Sequence, residues 1–211
     1  MVAGPFFSVQ SESVQKGDDV ALLRLQSADG TNRLTRTCVR ALIEVVHNLA
    51  AQAHPLVICG NERFFSAGAD LTEIAALDGQ SGYEFSQLGQ ELMRAIDSFP
   101  APVCAAISGY CMGGGLDLAL ACHGRVAAPN AVFGHRGAAL GLVTGWGGTQ
   151  RLPRLIGRAR ALQIFITAEK VGALQALRIG LVHAVGGDPV REALRWVGSA
   201  REDFTAVSPS A

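Results

Sequence analysis

The stretch Gly109-Tyr110-Cys111-Met112-Gly113-Gly114-Gly115-Leu116-Asp117-Leu118-Ala119-Leu120 runs three consecutive glycines straight into an apolar segment with helical spacing. A helix that begins on glycine leaves room for a ligand at its first turn. Glycine at Gly113 and Gly114 allows positive φ and close approach of a ligand to the main chain, while the unpaired N–H groups and positive dipole end of the helix face the same way. Such a turn can hold a developing oxyanion. Glycine triplets also occur in plain loops and at tight helix crossings.

Val20 to Leu25 and Leu56 to Cys59 are predicted as short strands. Between them a helix from Cys38 to Ala51 repeats Val39, Leu42, Ile43, Val46 and Leu49 at helical spacing. A second helix from Gly82 to Phe99, ended by Pro100 and Pro102, leads to a strand at Val103 to Ile107. The helix after the glycine triplet leads into a strand at Arg125 to Ala128. Near-continuous apolar strands alternating with helices predict an α/β fold with a mainly parallel sheet, covered on both faces and joined by right-handed crossovers. From Arg160 the pattern is helical, with a short helix at Ala173 to Ile179 stopped by Gly180 and one or two amphipathic turns between Asp188 and Val197. The small-residue tail from Thr205 to Ala211 is expected to fray.

The 211 residues, 49% hydrophobic and 17% charged, suffice for one well-buried core and not for two independent domains. Lysine plus arginine and aspartate plus glutamate number 18 each, so no global field attracts nucleic acid or an anionic membrane, and neither is expected as a partner. Cys38, Cys59, Cys104, Cys111 and Cys122 are scattered in apolar runs, the pattern of reduced, buried thiols in a cytoplasmic protein. The isolated His47, His54, His135 and His183 and the Cys122-His123 pair lack zinc-site spacing, so no metal is expected. No basic-then-apolar leader and no run long enough to span a membrane is present, which again leads to a cytoplasmic location.

Directly after the Leu56 strand, Gly60-Asn61-Glu62-Arg63-Phe64-Phe65-Ser66-Ala67-Gly68-Ala69-Asp70-Leu71 again delivers small residues to the carboxyl end of a strand, where α/β sheets place ligands. Together with Ile107-Ser108-Gly109-Tyr110 and the glycine triplet, Gly147-Gly148-Thr149-Gln150-Arg151-Leu152 and Ile179-Gly180-Leu181-Val182, this segment closely resembles the crotonase family of enoyl-CoA hydratases and isomerases, over roughly residues 20 to 197. The resemblance implies a crotonase-like superhelix of stacked ββα turns with a short helical C-terminal part. Residues 1–158 would form the core with the acyl-CoA site, and 159–211 a shortened helical region serving oligomerisation, all in one structural domain. A homotrimer or dimer of trimers, a coenzyme A thioester as substrate and no tightly bound cofactor are implied as well.

By the same resemblance, the amides of Ala69 and Gly114 form an oxyanion hole for the thioester carbonyl, where one such donor is worth about 3 to 4 kcal/mol. Arg33, in the Asn32-Arg33-Leu34 loop, would reach a phosphate of coenzyme A, with Ala67, Asp70, Leu71, Gly113 and Gly137 along the bound thioester. Asp70 is by its own chemistry better suited to fastening its loop through local amides.

The chain departs from the family at the acids. Hydratases carry one glutamate two positions past the glycine triplet and a second in a Phe-Gly-x-Pro-Glu segment; here Asp117 and Gly137 stand in those places. Asp117 keeps a carboxylate on a shorter side chain, and a misplacement of about 1 Å costs on the order of a hundredfold in rate. An acid in the first turn of a helix is also favoured by the dipole alone. The dienoyl-CoA isomerases of the family have aspartate at this point, but they retain the later glutamate. In Phe133-Gly134-His135-Arg136-Gly137 no acid remains, and His135 is the candidate substitute acid or base, with a plain loop residue as the alternative.

Glycine at Gly137 also resembles the naphthoyl-CoA synthases, in which the vacated space admits a bicarbonate as base, although their following aspartate is matched here by Thr144. No aspartate stands between Gly141 and Gly148 to act as a dehalogenase-type nucleophile. His123 replaces a conventional aspartate, and Trp146 and Trp196 are candidates for the acyl pocket. The chain is short for the family, so an altered assembly or a more open site is expected.

Three readings follow. The first is an enoyl-CoA hydratase/isomerase-type enzyme that stabilises a thioester enolate and uses Asp117 for proton transfer. The second is a non-catalytic acyl-CoA binder or assembly subunit, and the third is other crotonase chemistry using an external anion or His135 as base. A dinucleotide-binding fold is disfavoured, because the glycines do not follow the first strand in the G-x-G-x-x-G arrangement.

Overall fold

In the computed structural model, which describes residues 2–13 and 19–206, the alternating pattern closes into three sheets. The chain runs β1 (Val2–Ala3), β2 (Phe7–Ser13), β3 (Asp19–Leu25), β4 (Arg33–Leu34), α1 (Arg36–Ala50), β5 (Leu56–Cys59), β6 (Phe64–Ser66), β7 (Gly68–Ala69), α2 (Leu71–Ala75) and α3 (Gly79–Asp97). It continues through β8 (Val103–Ile107), β9 (Tyr110–Met112), α4 (Gly114–Ala121), β10 (Gly124–Ala127), β11 (Val132–Gly134), a 3₁₀ turn at Gly137–Leu140, α5 (Gly148–Ile156) and α6 (Arg158–Thr167). The last elements are β12 (Val171–Gly172), α7 (Ala173–Arg178), β13 (Ala184–Val185) and α8 (Pro189–Ala206).

The main sheet has the order β1-β2-β3-β5-β8-β10-β13, antiparallel through β1-β2-β3 and parallel from β3 onward. A second sheet, β12-β11-β9-β6, and the parallel pair β4-β7 stand beside it. Each winding therefore takes one strand from the main sheet, one from the second sheet and then helix: β5, β6 and α3; β8, β9 and α4; β10, β11 and α5. This is a stacked ββα superhelix.

The inner strands β5 and β8 are covered on both faces, which is why they are apolar at every position rather than every second one. Leu23, Leu56, Ile58, Val103, Ala105 and Ile107 point into one core with α1, α3 and α4, while Leu22, Val57, Cys59, Cys104, Ala106 and Val126 point to the opposite face, onto Ala193 and Val197 of α8. Thr35 caps α1 by accepting from the Cys38 amide at 3.1 Å, and Asp78 and Ser81 form a reciprocal capping box that starts α3 three residues before the expected Gly82.

The C-terminal helix is longer than the turn or two expected between Asp188 and Val197. Its apolar stripe resumes at Phe204, seven residues beyond Val197, and the Phe204 and His123 rings meet edge-on with centroids 4.9 Å apart. Fixing the far end in this way extends the helix through a polar stretch that periodicity alone would end. The expected tail lies, from residue 207, outside the described residues. All five cysteines are free and buried, and burial pushes the thiols up, Cys59 to about 11 and Cys38 to about 12. No helix among the described residues is long and apolar enough to cross a membrane.

Candidate functional site

The three glycines of the opening stretch are required for three different reasons. Gly113 has φ 50° and hands the chain from β9 into α4, its amide held by the Gly134 carbonyl at 2.9 Å. Gly114 is helical, not in positive φ as expected; a Cβ there would stand 2.5 Å from Cζ3 of Trp146. Gly115 packs on Ser66, where a Cβ would lie 2.7 Å from the serine Cβ. Only the first is a conformational demand, and the other two are close approaches between layers.

Those approaches bring the two glycine-rich loops together. A Cβ on Gly68, at φ 91°, would lie 3.0 Å from the Gly114 nitrogen, and one on Gly114 would lie 3.3 Å from the Ala69 nitrogen. As the first residue of α4, Gly114 has no carbonyl one turn earlier to receive its N–H. The loop from the other side is braced by Ser66, whose hydroxyl donates to the Asn32 carbonyl at 2.7 Å and accepts from the Gly68 amide at 3.0 Å. Asn32 in turn donates to the carbonyls of Phe64 and Phe65.

Ala69 and Gly114 open onto a cavity of about 1020 Å³. Its walls are largely apolar, including Leu71, Phe85, Met112, Trp146 and Phe165, with Ala67, Gly113 and Gly137 also on the lining. Trp146 is fixed by donating its indole N–H to the Phe85 carbonyl at 3.2 Å. Trp196 is on the far side of the main sheet against Gly124 and His183, so only one of the two tryptophans belongs to the cavity.

Arg33 and Asp70 stand outside this lining. Asp70 caps α2 by accepting from the Thr72 and Glu73 amides, the loop-fastening role its chemistry suits, and its second oxygen is 3.5 Å from the half-exposed Arg33 guanidinium. Those hydrogen bonds, led by the Glu73 amide, hold the Asp70 carboxyl below the usual carboxylate range.

The acid–base groups converge on the cavity wall. Asp117, 2% exposed, lies in the first turn of α4, and His135, 4% exposed, follows β11; their Oδ1 and Nε2 atoms are 3.3 Å apart but off the line of a hydrogen bond, and neither atom has another partner. The other carboxylate oxygen accepts from the Thr144 hydroxyl. Burial pushes the Asp117 carboxyl up to about 7, against the lowering pull of Thr144, Arg151 and the Gly148 amide, and burial pulls His135 down to about 4. Near neutrality the imidazole is therefore uncharged and the carboxyl is poised to take or give a proton.

Gly137 lines the cavity with the backbone of Leu142 close beside it. A Cβ there would meet the Leu142 carbonyl oxygen at 2.6 Å, because the backbone after the 3₁₀ turn folds back over it. Thr144, noted in the sequence only as a mismatch, is the polar residue that sequence reasoning missed; no local pattern marks a threonine in a glycine-rich loop as the partner of an acid 27 residues earlier. His123, unassigned from sequence, accepts from the buried Val103 amide at Nδ1 and meets the Asp97 carbonyl at Nε2, tying α3 to β8. Among the described residues no cluster of three or more His, Cys, Asp or Glu is placed to hold a metal ion.

Fold and site together define a crotonase-type scaffold, and comparison with known proteins agrees: residues 15–198 match the enoyl-CoA hydratase/isomerase family, to which the chain belongs. It is 41% identical over 160 residues to a Bacillus subtilis protein named "probable enoyl-CoA hydratase", covering 75% of this chain and 62% of that one. It is 38% identical over 175 residues to the crotonyl-CoA hydratase of Syntrophomonas wolfei, covering 82% and 67%. The crystal structure of enoyl-CoA hydratase from Bacillus anthracis superposes with a TM-score of 0.81 at 30% identity, over 95% of this chain and 78% of that one. The chain thus spans about two thirds of the length of the curated relatives it matches.

Proposed function

We propose that this protein binds an acyl-coenzyme A thioester and stabilises its enolate, with the Ala69 and Gly114 amides receiving the thioester oxygen and Asp117 moving a proton to or from the acyl chain. The observation that carries this reading is the approach of the Gly68-Ala69 and Gly113-Gly114 segments at the mouth of an apolar cavity that has a buried carboxyl on its wall. Enolisation puts negative charge on the thioester oxygen, and preorganised amides stabilise that charge without reorganisation cost. Proton transfer by a carboxyl whose pKa is raised to about 7 is well matched to neutral pH.

With one carboxylate in place of two, the site favours moving a single proton between carbons over adding water, so isomerase-type chemistry is preferred to fast hydration. The test is turnover of crotonyl-CoA and of 3-enoyl-CoA by the protein and by Asp117→Asn. Loss of isomerisation in the variant with retained thioester binding supports the reading, and equal turnover removes Asp117 from it. A second reading, binding without turnover, is favoured by the closed backbone at Gly137, and tight thioester binding with no reaction of any thioester would select it. A homotrimer or dimer of trimers, as the family implies, is part of the proposal under either reading, supported by Leu162, Ile166, Leu174 and Leu177, which are exposed at the α6–α7 end of the single chain.

A further inference from the structure

Three side chains from three separate segments form a line at the cavity wall: Thr144 from the loop before α5, Asp117 from α4 and His135 from the end of β11. The innermost atoms, Asp117 Oδ1 and His135 Nε2, are buried and unpartnered. Thr144 is only partly buried and its hydroxyl covers the second carboxylate oxygen. Thr144, Asp117 and His135 all line the cavity, and Thr144 is the most exposed of the three. Gly148 closes the line from behind, since a Cβ there would lie 2.9 Å from both His135 Nε2 and Thr144 Cγ2.

We propose that Thr144 is the proton-relay residue of this site, passing a proton between the acyl chain and Asp117 while the neutral His135 imidazole positions the carboxylate; this rests on the thioester reading above. In the forward step the substrate C–H bond breaks, its electron pair moves into the enolate, and the proton goes to Thr144 Oγ as the proton already on Oγ passes to Asp117 Oδ2. The reverse sequence returns a proton to carbon, so the relay ends the cycle unchanged and no other reactant is consumed. His135, its Nε2 3.3 Å from Oδ1 without hydrogen-bond alignment, packs against the carboxylate and holds no proton of the reaction. Burial of the imidazole, which pulls it down to about 4, keeps it neutral in this role.

The test compares Thr144→Val, which keeps the shape and removes the hydroxyl, with Thr144→Ser, which keeps the hydroxyl. Two quantities are read for each: exchange of the acyl α-protons of butyryl-CoA with deuterated water by NMR, and the Kd for the same thioester by calorimetry. The relay predicts that Thr144→Val slows exchange by about 10²-fold with Kd unchanged, and that Thr144→Ser restores most of the rate. Exchange in Thr144→Val as fast as in the parent overturns the relay while leaving the thioester reading intact. Equal slowing in both variants also overturns it, because only packing is then at work. Absence of both binding and exchange in the parent protein overturns the thioester reading itself, and the relay with it.

Discussion

Gly114 and Trp146 are in such close apposition that the indole ring occupies the space a side chain at 114 would need, with Cζ3 2.5 Å from the Cβ position. The same ring fills the space beside Gly89 of α3, so Trp146 is wedged between two glycines on two helices. Gly114→Ala is expected to destabilise the protein by about 1–3 kcal/mol through overpacking. It is also expected to weaken thioester binding, because the new methyl crowds the Ala69 nitrogen. Adding Trp146→Phe should recover part of the stability; additive losses in denaturant midpoints would show that the two positions do not compete for space.

The Asp117–His135 pair gives stability a hidden pH dependence. Asp117 is raised to about 7, so between its ordinary value and pH 7 the folded state holds a proton that the unfolded state has released, and stability falls as pH rises. His135 is lowered to about 4, so between pH 4 and its ordinary value the unfolded state holds the extra proton, and stability rises with pH. The two slopes oppose one another over their shared window. His135→Gln should therefore expose falling stability from about pH 4 to 7, and Asp117→Asn rising stability from about pH 4 to 6.5. The residues facing the pair, Arg151 and Thr144, remain in both variants. Flat urea midpoints across pH in both would contradict the assignment.

Restoring the family's acids, with Asp117→Glu and Gly137→Glu together, is expected to give no gain in crotonyl-CoA hydration and a lowered thermal midpoint. A side chain at 137 must begin 2.6 Å from the Leu142 carbonyl, which requires the following loop to move. A large recovery of hydration would show that this loop yields easily.

His123→Ala strips the partner from the buried Val103 amide and from the Asp97 carbonyl. An unsatisfied buried amide costs about 1–3 kcal/mol, so the variant is expected to unfold at lower urea by that amount, with thioester binding unchanged. Weakened binding instead would mean that α3 transmits the change to the cavity.

Most of the secondary structure was legible because burial on both faces forces near-continuous apolar strands, and one-sided burial forces helical periodicity, as in Val39, Leu42, Ile43 and Val46 of α1. The extent of α8 was not, since its far end is set by Phe204 meeting His123 from another winding. The glycine-rich turns announced a place where backbone must be approached closely, but not by what. Gly114 is free of a side chain because Trp146 lies against it, and Gly115 because Ser66 does.

The residues alone determine the parallel α/β architecture, the zero net charge and the two small-residue loops, because composition, periodicity and motif order are properties of the chain as written; the resemblance to the family adds that Asp117 and Gly137 stand where hydratases carry glutamates. Tertiary structure alone decided that Thr144, Asp117 and His135 form one line, that Gly137 is closed by Leu142 and that Trp146 rather than Trp196 faces the cavity. These depend on how successive windings of the superhelix stack, which sets distances between residues far apart in sequence and leaves no local trace in it.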